Sequence, residues 1–177
     1  MRGVNEGKYA RIEWERRFLL AGPPAPSAVV ATFSITDRYL TGTRLRLRHV
    51  HHIDGGNNEY KFTQKIPSGL PGPVQGLITN IYLTRAEYEI LARVPAAVLS
   101  KTRLRVPPVG IDIFEGELAG LIVAEAEFTS DTSTAAFSPP PYCTAEITDD
   151  PRFTGGSLVH SNRDQLALWL AEYGIRV

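Results

Sequence analysis

The sequence predicts a mainly β fold of the α+β class, either a barrel or a sandwich, with a few flanking helices. Short segments of alternating polar and apolar residues follow one another closely, and Gly, Pro, Asn and Asp separate them. Helical spacing of apolar residues is clear in only two places. Many short strands with close turns are typical of antiparallel β proteins rather than of a parallel α/β sheet.

Eight strands are predicted along the chain, because β-branched or alternating residues run between turn residues in each of them. The run Asp54-Gly55-Gly56-Asn57-Asn58 predicts a hairpin connection between the third and the fourth strand. The predicted strands, in chain order, are Arg11–Leu20, Ile35–Leu40, Thr43–Val50, Glu59–Ile66, Leu77–Leu83, Leu99–Val106, Gly110–Phe114 and Leu121–Phe128.

Two helices are predicted from caps and apolar spacing. The first begins after Thr84, whose hydroxyl opens a capping-box pattern, and continues until Pro95 stops it. The second covers Asn162–Tyr173, where apolar residues recur on one face. A further short helix is compatible with Ala25–Val30, and the Ser-, Thr- and Pro-rich stretch Asp131–Tyr142 is predicted to be a loop.

Length and composition favour one soluble globular domain. The 177 residues include 43% hydrophobic and 21% charged residues, and no apolar run is long enough to cross a bilayer. The N-terminal stretch Met1–Glu15 is polar and lacks a signal-peptide core, so the default expectation is a cytoplasmic protein without membrane contact. A formal net charge of zero argues against a general nucleic-acid binder. The single Cys143 is interpreted as structural or incidental.

Charges share strand faces in a sign-specific pattern. Residues two apart on a strand lie on one face, and the first and last predicted strands carry acidic pairs while the intervening strands carry basic ones. The acidic pairs are Glu13 with Glu15 and Glu125 with Glu127, and the basic sets are Arg44, Arg46 and Arg48, then Lys61 and Lys65, then Lys101, Arg103 and Arg105.

Each of these faces, taken alone, is compatible with the wet side of a half-buried strand. Taken together they favour a shared lumen, because like charges stacked on one strand repel unless something compensates them. A closed barrel would turn the carboxylates and the basic side chains toward each other. Carboxylate oxygens suit magnesium or manganese, and Arg and Lys suit the oxygens of a polyphosphate.

The order of the motifs adds a resemblance to a known family. The segment Glu13-Trp14-Glu15-Arg16-Arg17 resembles the opening Glu-x-Glu-x-Lys signature of the CYTH superfamily, the triphosphate tunnel metalloenzymes. Further matches follow in family order, namely Arg44-Leu45-Arg46, Thr63-Gln64-Lys65, Lys101-Thr102-Arg103, Glu125-Ala126-Glu127 and Glu146-Ile147-Thr148-Asp149-Asp150.

This resemblance implies an eight-stranded antiparallel tunnel open at both ends. It implies one tunnel domain over residues 1–177, in which residues 159–177 form a C-terminal helical extension that could plug one mouth or mediate contacts in a homodimer. The expected activity is that of the small bacterial branch, hydrolysis of inorganic triphosphate to pyrophosphate and phosphate with Mg²⁺ or Mn²⁺.

The resemblance also implies roles for individual residues. Phosphate binding is expected from Arg17, Arg44, Arg46, Lys65, Lys101 and Arg103. Metal binding is expected from Glu13, Glu15, Glu125, Glu127 and Asp150. Catalysis is assigned to Lys101, which would orient or activate the attacking water, and to Glu13 and Glu15 through the metal.

Some positions depart from the family pattern. Arg17 stands where Lys is usual, Phe153 replaces a usual Tyr, and Gly155 and Ser157 stand where Asn is common. Three alternatives therefore stay open beside the inorganic triphosphatase: an adenylate cyclase, a thiamine or nucleoside triphosphatase, and a non-catalytic module that binds polyphosphate or a nucleotide.

Two groups of side chains allow two interpretations each. His49, His51 and His52 fit a solvated hairpin end better than a transition-metal site, because no carboxylate partner has suitable spacing. Arg48, Lys61 and Arg105 share the luminal parity, and they either touch the substrate or lie at the tunnel mouth.

Overall fold

The computed structural model, which describes residues 8–176, confirms the eight predicted strands and adds a short ninth one. The strands are β1 (Arg11–Leu19), β2 (Ala31–Leu40), β3 (Leu45–His52), β4 (Glu59–Pro67), β5 (Val74–Leu83), β6 (Ala96–Val106), β7 (Val109–Phe114), β8 (Ile122–Phe128) and β9 (Ala145–Glu146). Residues 1–7 of the polar N-terminal stretch, and Val177, lie outside the described residues.

The strands form a closed antiparallel barrel, so the sandwich alternative is wrong. Their order is β5-β4-β3-β2-β6-β7-β8-β1, and β1 also pairs with β5, which closes the sheet on itself. The C-terminal end of β1 also pairs with β9, through Phe18 with Glu146 and Leu19 with Ala145. The predicted tunnel architecture is therefore confirmed.

Several strands begin earlier than the sequence predicts. β2 starts at Ala31 rather than Ile35, and β6 starts at Ala96 rather than Leu99. The two strands pair continuously from Ala31 opposite Arg105 to Leu40 opposite Ala96. Pairing with a neighbour extends both strands beyond their propensity-rich centres, since sheet formation depends on context more than on local preference.

The helices confirm two predictions and correct one. α1 (Arg85–Leu91) and α4 (Arg163–Glu172) both begin with capping boxes. The predicted loop Asp131–Tyr142 is wrong at its start, because α2 (Asp131–Ala135) forms there behind the N-cap Ser130. A 3-10 turn (Pro26–Ala28) takes the place of the short helix near Ala25, and α3 (Gly155–Leu158) was not predicted.

Two apolar clusters pack against the barrel. One covers its outer wall, where Phe18 and Ile111 pack with Phe137 and Cys143, in agreement with a structural role for the cysteine. The other lies at one end of the barrel, where residues of the strand ends pack against residues 147–175. Its members include Leu19, Leu99, Phe114, Val123, Phe153, Leu158, Leu166 and Leu170.

No helix within residues 8–176 has both the length and the apolar character needed to span a membrane.

Barrel closure demands a glycine at position 76. Gly76 lies opposite Glu13 of β1 and opposite Pro67 of β4, beside a bulge between Glu13 and Trp14. Its φ is +132°, and a Cβ at this position would lie 2.1 Å from the carbonyl oxygen of Ile66. A side chain here would therefore push β4 away from β5.

We expect Gly76→Ala to lower the free energy of unfolding by more than about 1 kcal/mol, because both the backbone conformation and the space exclude a side chain. Gly22→Ala is the matched control, since a Cβ at Gly22 meets nothing within 4 Å. Urea denaturation of both variants measures the difference. Equal stability of the two variants would contradict the argument for closure.

Candidate active site

The barrel encloses a cavity of about 450 Å³ that charged side chains dominate. Nine basic and five acidic side chains line it, so the lumen suits a polyanion. All of the predicted site residues except Asp150 face this cavity: Glu13, Glu15, Arg17, Arg44, Arg46, Lys65, Lys101, Arg103, Glu125 and Glu127. Arg48 and Lys61 line it as well.

One part of the basic wall is organised by Asp37 of β2, which the sequence did not indicate. Its side chain is 1% exposed and accepts hydrogen bonds from Arg48 Nε (2.6 Å) and Arg48 Nη2 (2.7 Å). Arg46 Nε lies 3.5 Å from the same carboxylate. Burial alone would raise the pKa of Asp37, but the charges of Arg48 and Arg46 hold it well below its usual range. Asp37 is therefore a permanent anion that fixes two arginines.

A second buried carboxylate, Asp112 of β7, fixes two basic side chains of β6. It is fully buried and accepts hydrogen bonds from Arg103 Nε (2.6 Å) and Arg103 Nη2 (2.7 Å). Lys101 Nζ donates to the same carboxylate, and this lysine is 5% exposed. Each of the two basic pairs thus has its own buried counter-ion.

The acidic wall is arranged by the pairing of β1 with β8. Glu15 lies directly opposite Glu127, and Arg17 lies directly opposite Glu125. Burial, together with the neighbouring Glu125 and Glu13, raises the pKa of Glu15 to about 8. The charges of Lys65 and Arg17 lower the pKa of Glu15 by less than these effects raise it, so a further cation beside this carboxyl group would stabilise its ionised form.

Two of the other carboxylates are paired with luminal cations. Lys65 Nζ donates to Glu13 Oε2 at 2.8 Å, and Arg103 Nη2 donates to Glu125. Burial raises the pKa of Glu125, but Arg103 and Lys101 more than offset this and hold the pKa well below its usual range. The acidic and basic walls therefore neutralise each other in part.

The donor set fits a hard divalent cation in chemistry but is not gathered around one point. Four luminal glutamates offer the oxygen ligands that Mg²⁺ and Mn²⁺ prefer. Within residues 8–176, however, no three His, Cys, Asp or Glu side chains lie close enough to form a metal-binding group. Glu13 is instead paired with Lys65, and Glu125 with Arg103.

Asp150 is placed away from the other predicted metal ligands. It does not line the lumen, and its carboxylate accepts hydrogen bonds from the side chains of Arg152 (2.7 Å) and Tyr173 (2.8 Å). Arg152 in turn pairs with Glu172 of α4. This placement gives Asp150 a role in packing the C-terminal helix and does not support its assignment as a metal ligand.

One end of the lumen is covered. Residues 153–158 are here named the covering segment, which begins at the last residue of the 3-10 turn Pro151–Phe153. Five of its residues line the cavity beside Tyr39 and Leu99. α4 packs behind this segment through Leu166 and Leu170. The expectation of a tunnel open at both ends is therefore wrong at this end. The element that faces the lumen is the covering segment, and the helix in the predicted extension supports it from outside.

A second cavity of about 420 Å³ adjoins the first, because both are lined by Arg103, Glu125 and Glu127. Its other walls come from β2 and from the hairpin between β6 and β7. They are Phe33, Arg105, Pro107, Pro108, Val109 and Gly110. Arg105 belongs to this second cavity rather than to the lumen.

The three histidines lie at the end of β3, in the hairpin that connects it to β4, as the hairpin interpretation predicts. His49 stacks on Tyr60 with ring centroids 4.9 Å apart, His51 contacts Asn58, and His52 contacts Glu59.

Sequence reasoning missed Asp37, Asp112 and Phe33 as parts of the site. A signal existed for Asp37 and Phe33, because both share the parity of Tyr39 on β2, which faces the lumen. The predicted strand began at Ile35, and Phe33 therefore lay outside it. Asp112 lies directly opposite Arg103, a pairing that only the register of β6 and β7 reveals.

Comparison with known proteins gives consistent relatives. The chain is 31% identical to an inorganic triphosphatase from Nitrosomonas europaea, over 84% of this chain and 97% of that protein. The crystal structure of an inorganic triphosphatase matches with a TM-score of 0.54 and 28% identity, over 84% of this chain and 95% of that one. A protein structure from Pyrococcus horikoshii OT3, at 18% identity and a TM-score of 0.51, covers 93% of this chain and 91% of its own and shares the fold alone. No model of a known protein family matches the chain.

We expect Asp37→Asn to lower the free energy of unfolding by about 3 kcal/mol at pH 7, because it leaves two buried arginines without their counter-ion. The pKa of Asp37 is lower in the folded chain than in the unfolded one, so its stabilisation is fully present above about pH 4 and is lost as the pH falls toward the folded pKa.

Urea denaturation of the unmutated protein and the variant at pH 7, 5 and 3 checks both statements. The difference should be constant between pH 7 and 5 and smaller at pH 3. A difference that grows on acidification would contradict the assignment of Asp37 as the structural anion.

Proposed function

Because the chain belongs to the family of the Nitrosomonas europaea inorganic triphosphatase, within the CYTH superfamily, we propose that it hydrolyses inorganic triphosphate to pyrophosphate and phosphate. The observation that carries this proposal is the enclosed lumen, in which nine basic side chains face five acidic ones. A polyanion and a divalent cation together would match both walls.

The basic wall supplies the contacts to phosphate. Arg46 lines the lumen and directs its Nε toward Asp37 at 3.5 Å, so a phosphate oxygen would be met by the other nitrogens of this guanidinium. Arg44, Lys65 and Arg103 face the same space, and Arg48 and Lys61 extend it. Guanidinium groups whose orientation Asp37 and Asp112 already fix need little reorganisation when charge develops on the phosphate.

The acidic wall supplies the ligands for Mg²⁺ or Mn²⁺, which we assign to Glu13, Glu15, Glu125 and Glu127. The opposed positions of Glu15 and Glu127 support this assignment, since like charges directly opposite destabilise a sheet unless a cation compensates them. A bound divalent cation would neutralise charge on the phosphate oxygens and polarise the phosphorus under attack.

Substrate binding would then be an exchange of partners. Lys65 is paired with Glu13, and Arg103 is paired with Glu125. A triphosphate would draw the two cations toward its oxygens, and this would release the two carboxylates for the metal. The exchange reconciles the absence of a preformed metal cluster in residues 8–176 with a donor set suited to a metal.

Hydrolysis needs a water molecule placed in line with the bond that breaks. We assign its orientation to Lys101, which is held by Asp112 at the wall of the lumen. The oxygen of the water forms a bond to the terminal phosphorus as the bond between that phosphorus and the bridging oxygen breaks. The water's proton passes to solvent or to the released phosphate, and the basic side chains hold the pyrophosphate.

A second candidate function is hydrolysis of an organic triphosphate such as a nucleotide, and the second cavity favours it. This cavity continues the lumen past Arg103 and offers an aromatic ring, Phe33, together with two prolines. A planar group attached to a triphosphate could stack on Phe33 while its phosphates lie in the lumen. A non-catalytic polyphosphate-binding module is less favoured, because such a binder has no use for four luminal glutamates.

We expect Glu127→Gln to lower metal-dependent triphosphatase activity by at least about a hundredfold without unfolding the protein, because only a charged ligand oxygen is replaced. Glu117→Gln is the control, since Glu117 is exposed and lies outside both cavities. Phosphate release with and without Mg²⁺ measures both variants. If Glu127→Gln keeps most of its activity and a normal metal dependence, the assignment of Glu127 as a metal ligand is wrong.

For the substrate, we expect kcat/KM for inorganic triphosphate to exceed that for ATP by at least about tenfold under identical Mg²⁺, because the lumen contacts phosphates alone. Phe33→Ala should leave the value for inorganic triphosphate unchanged. If ATP is instead preferred, and Phe33→Ala removes that preference, the second candidate replaces the first.

A further inference from the structure

The guanidinium group of Arg17 is hydrogen-bonded to main-chain carbonyl groups of residues 148–153. Its side chain is 5% exposed, and its Nη1 donates to the carbonyl oxygen of Phe153 at 2.8 Å while its Nη2 donates to that of Thr148 at 2.9 Å. The main chain of Arg17 holds the same segment, because its N–H donates to Thr148 Oγ1 and its carbonyl accepts from Ile147 N–H. Few donors of this guanidinium are left for a ligand.

We propose that Arg17 is a positioning residue that holds the covering segment against β1 and orients Glu15, and that it is not a ligand of the phosphates. The inference rests on the proposed function for its kinetic part only. Arg17 Nε lies 3.5 Å from Glu15 Oε1, so one side chain joins the closed end of the lumen to a carboxylate of the acidic wall.

The geometry requires a guanidinium rather than an ammonium. Two carbonyl oxygens at different positions, Phe153 and Thr148, accept from two different nitrogens of one planar group. An ammonium is a single point of charge and cannot occupy both donor positions at once. Lys at this position would therefore leave at least one buried carbonyl group without its donor.

Tyr39 of β2 packs against the covering segment at Gly155. A Cβ at Gly155 would lie 1.9 Å from the Tyr39 hydroxyl oxygen and 3.0 Å from its Cζ, so the hydroxyl occupies the space beside this glycine. The covering segment is thus held against β1 by Arg17 and packs against Tyr39 of β2.

The first experiment compares Arg17→Lys with Arg46→Ala by amide hydrogen exchange without ligand and by steady-state kinetics with inorganic triphosphate and Mg²⁺. For Arg17→Lys we expect protection of residues 147–158 to fall at least about tenfold, since the segment loses its tie to β1. We expect its kcat to fall at least about tenfold with KM within about twofold of the unmutated value.

Arg46→Ala should behave in the opposite way. Its KM should rise at least about tenfold, because a contact to phosphate is lost, while protection of residues 147–158 stays within about threefold. If Arg17→Lys keeps full protection and raises KM instead, Arg17 is a phosphate ligand and the proposal is overturned.

A second pair of variants tests the covering segment without touching Arg17. Gly155→Ala should expose residues 147–158 to exchange, and Tyr39→Phe combined with Gly155→Ala should restore at least half of the lost protection, because the overlapping hydroxyl is gone. Unchanged protection in Gly155→Ala would show that Tyr39 does not constrain the covering segment and would overturn this part of the proposal. If the unmutated protein hydrolyses no triphosphate, the proposed function fails, and the exchange measurements on both pairs still decide whether Arg17 holds the segment.

Discussion

The lumen depends on two carboxylates that never reach solvent. Arginines and lysines stacked along neighbouring strands repel one another, and a sheet that carries them needs an internal counter-charge. Asp37 supplies it for Arg46 and Arg48 on β3, and Asp112 supplies it for Lys101 and Arg103 on β6. Both aspartates lie on strands adjacent to their partners, so the hydrogen-bond register of the barrel itself aligns the pairs. The same contacts that make the barrel stable also set the directions in which its cations point.

Among the described residues, the carboxylates of the acidic wall, in contrast, have no shared buried counter-ion. Glu15 and Glu127 face each other directly, and Glu13 and Glu125 find their partners on other strands. The basic wall is thus paired with two buried aspartates, whereas on the acidic wall two carboxyl groups lie directly opposite each other. Opposed carboxyl groups lower folding stability, and proteins retain such arrangements where a ligand binds. The asymmetry between the two walls is the feature that distinguishes this lumen from a solvated strand face.

Much of this was predictable because strand parity is a local property. The alternation of charge in Glu13-Trp14-Glu15 and in Lys101-Thr102-Arg103 determines which side chains share a face, and closure of the sheet brings those faces together. The roles that escaped prediction depend on partners distant in sequence. Arg17 meets the carbonyl of Phe153 across 136 positions, and no local pattern distinguishes that bond from a contact to phosphate. Asp150 belongs to the family-like motif Glu146-Ile147-Thr148-Asp149-Asp150, yet its carboxylate accepts hydrogen bonds from Arg152 and from Tyr173 of the C-terminal region.

Within residues 8–176, the covering segment lines the lumen beside Tyr39 and Leu99, and the second cavity adjoins the lumen at Arg103, Glu125 and Glu127. If substrate enters only on the side away from the covering segment, both products have to leave by that same route. The product that lies nearer the route would then leave first, and a new substrate molecule could bind only after the deeper product had left. That deeper product would also compete with the substrate when it is present in solution.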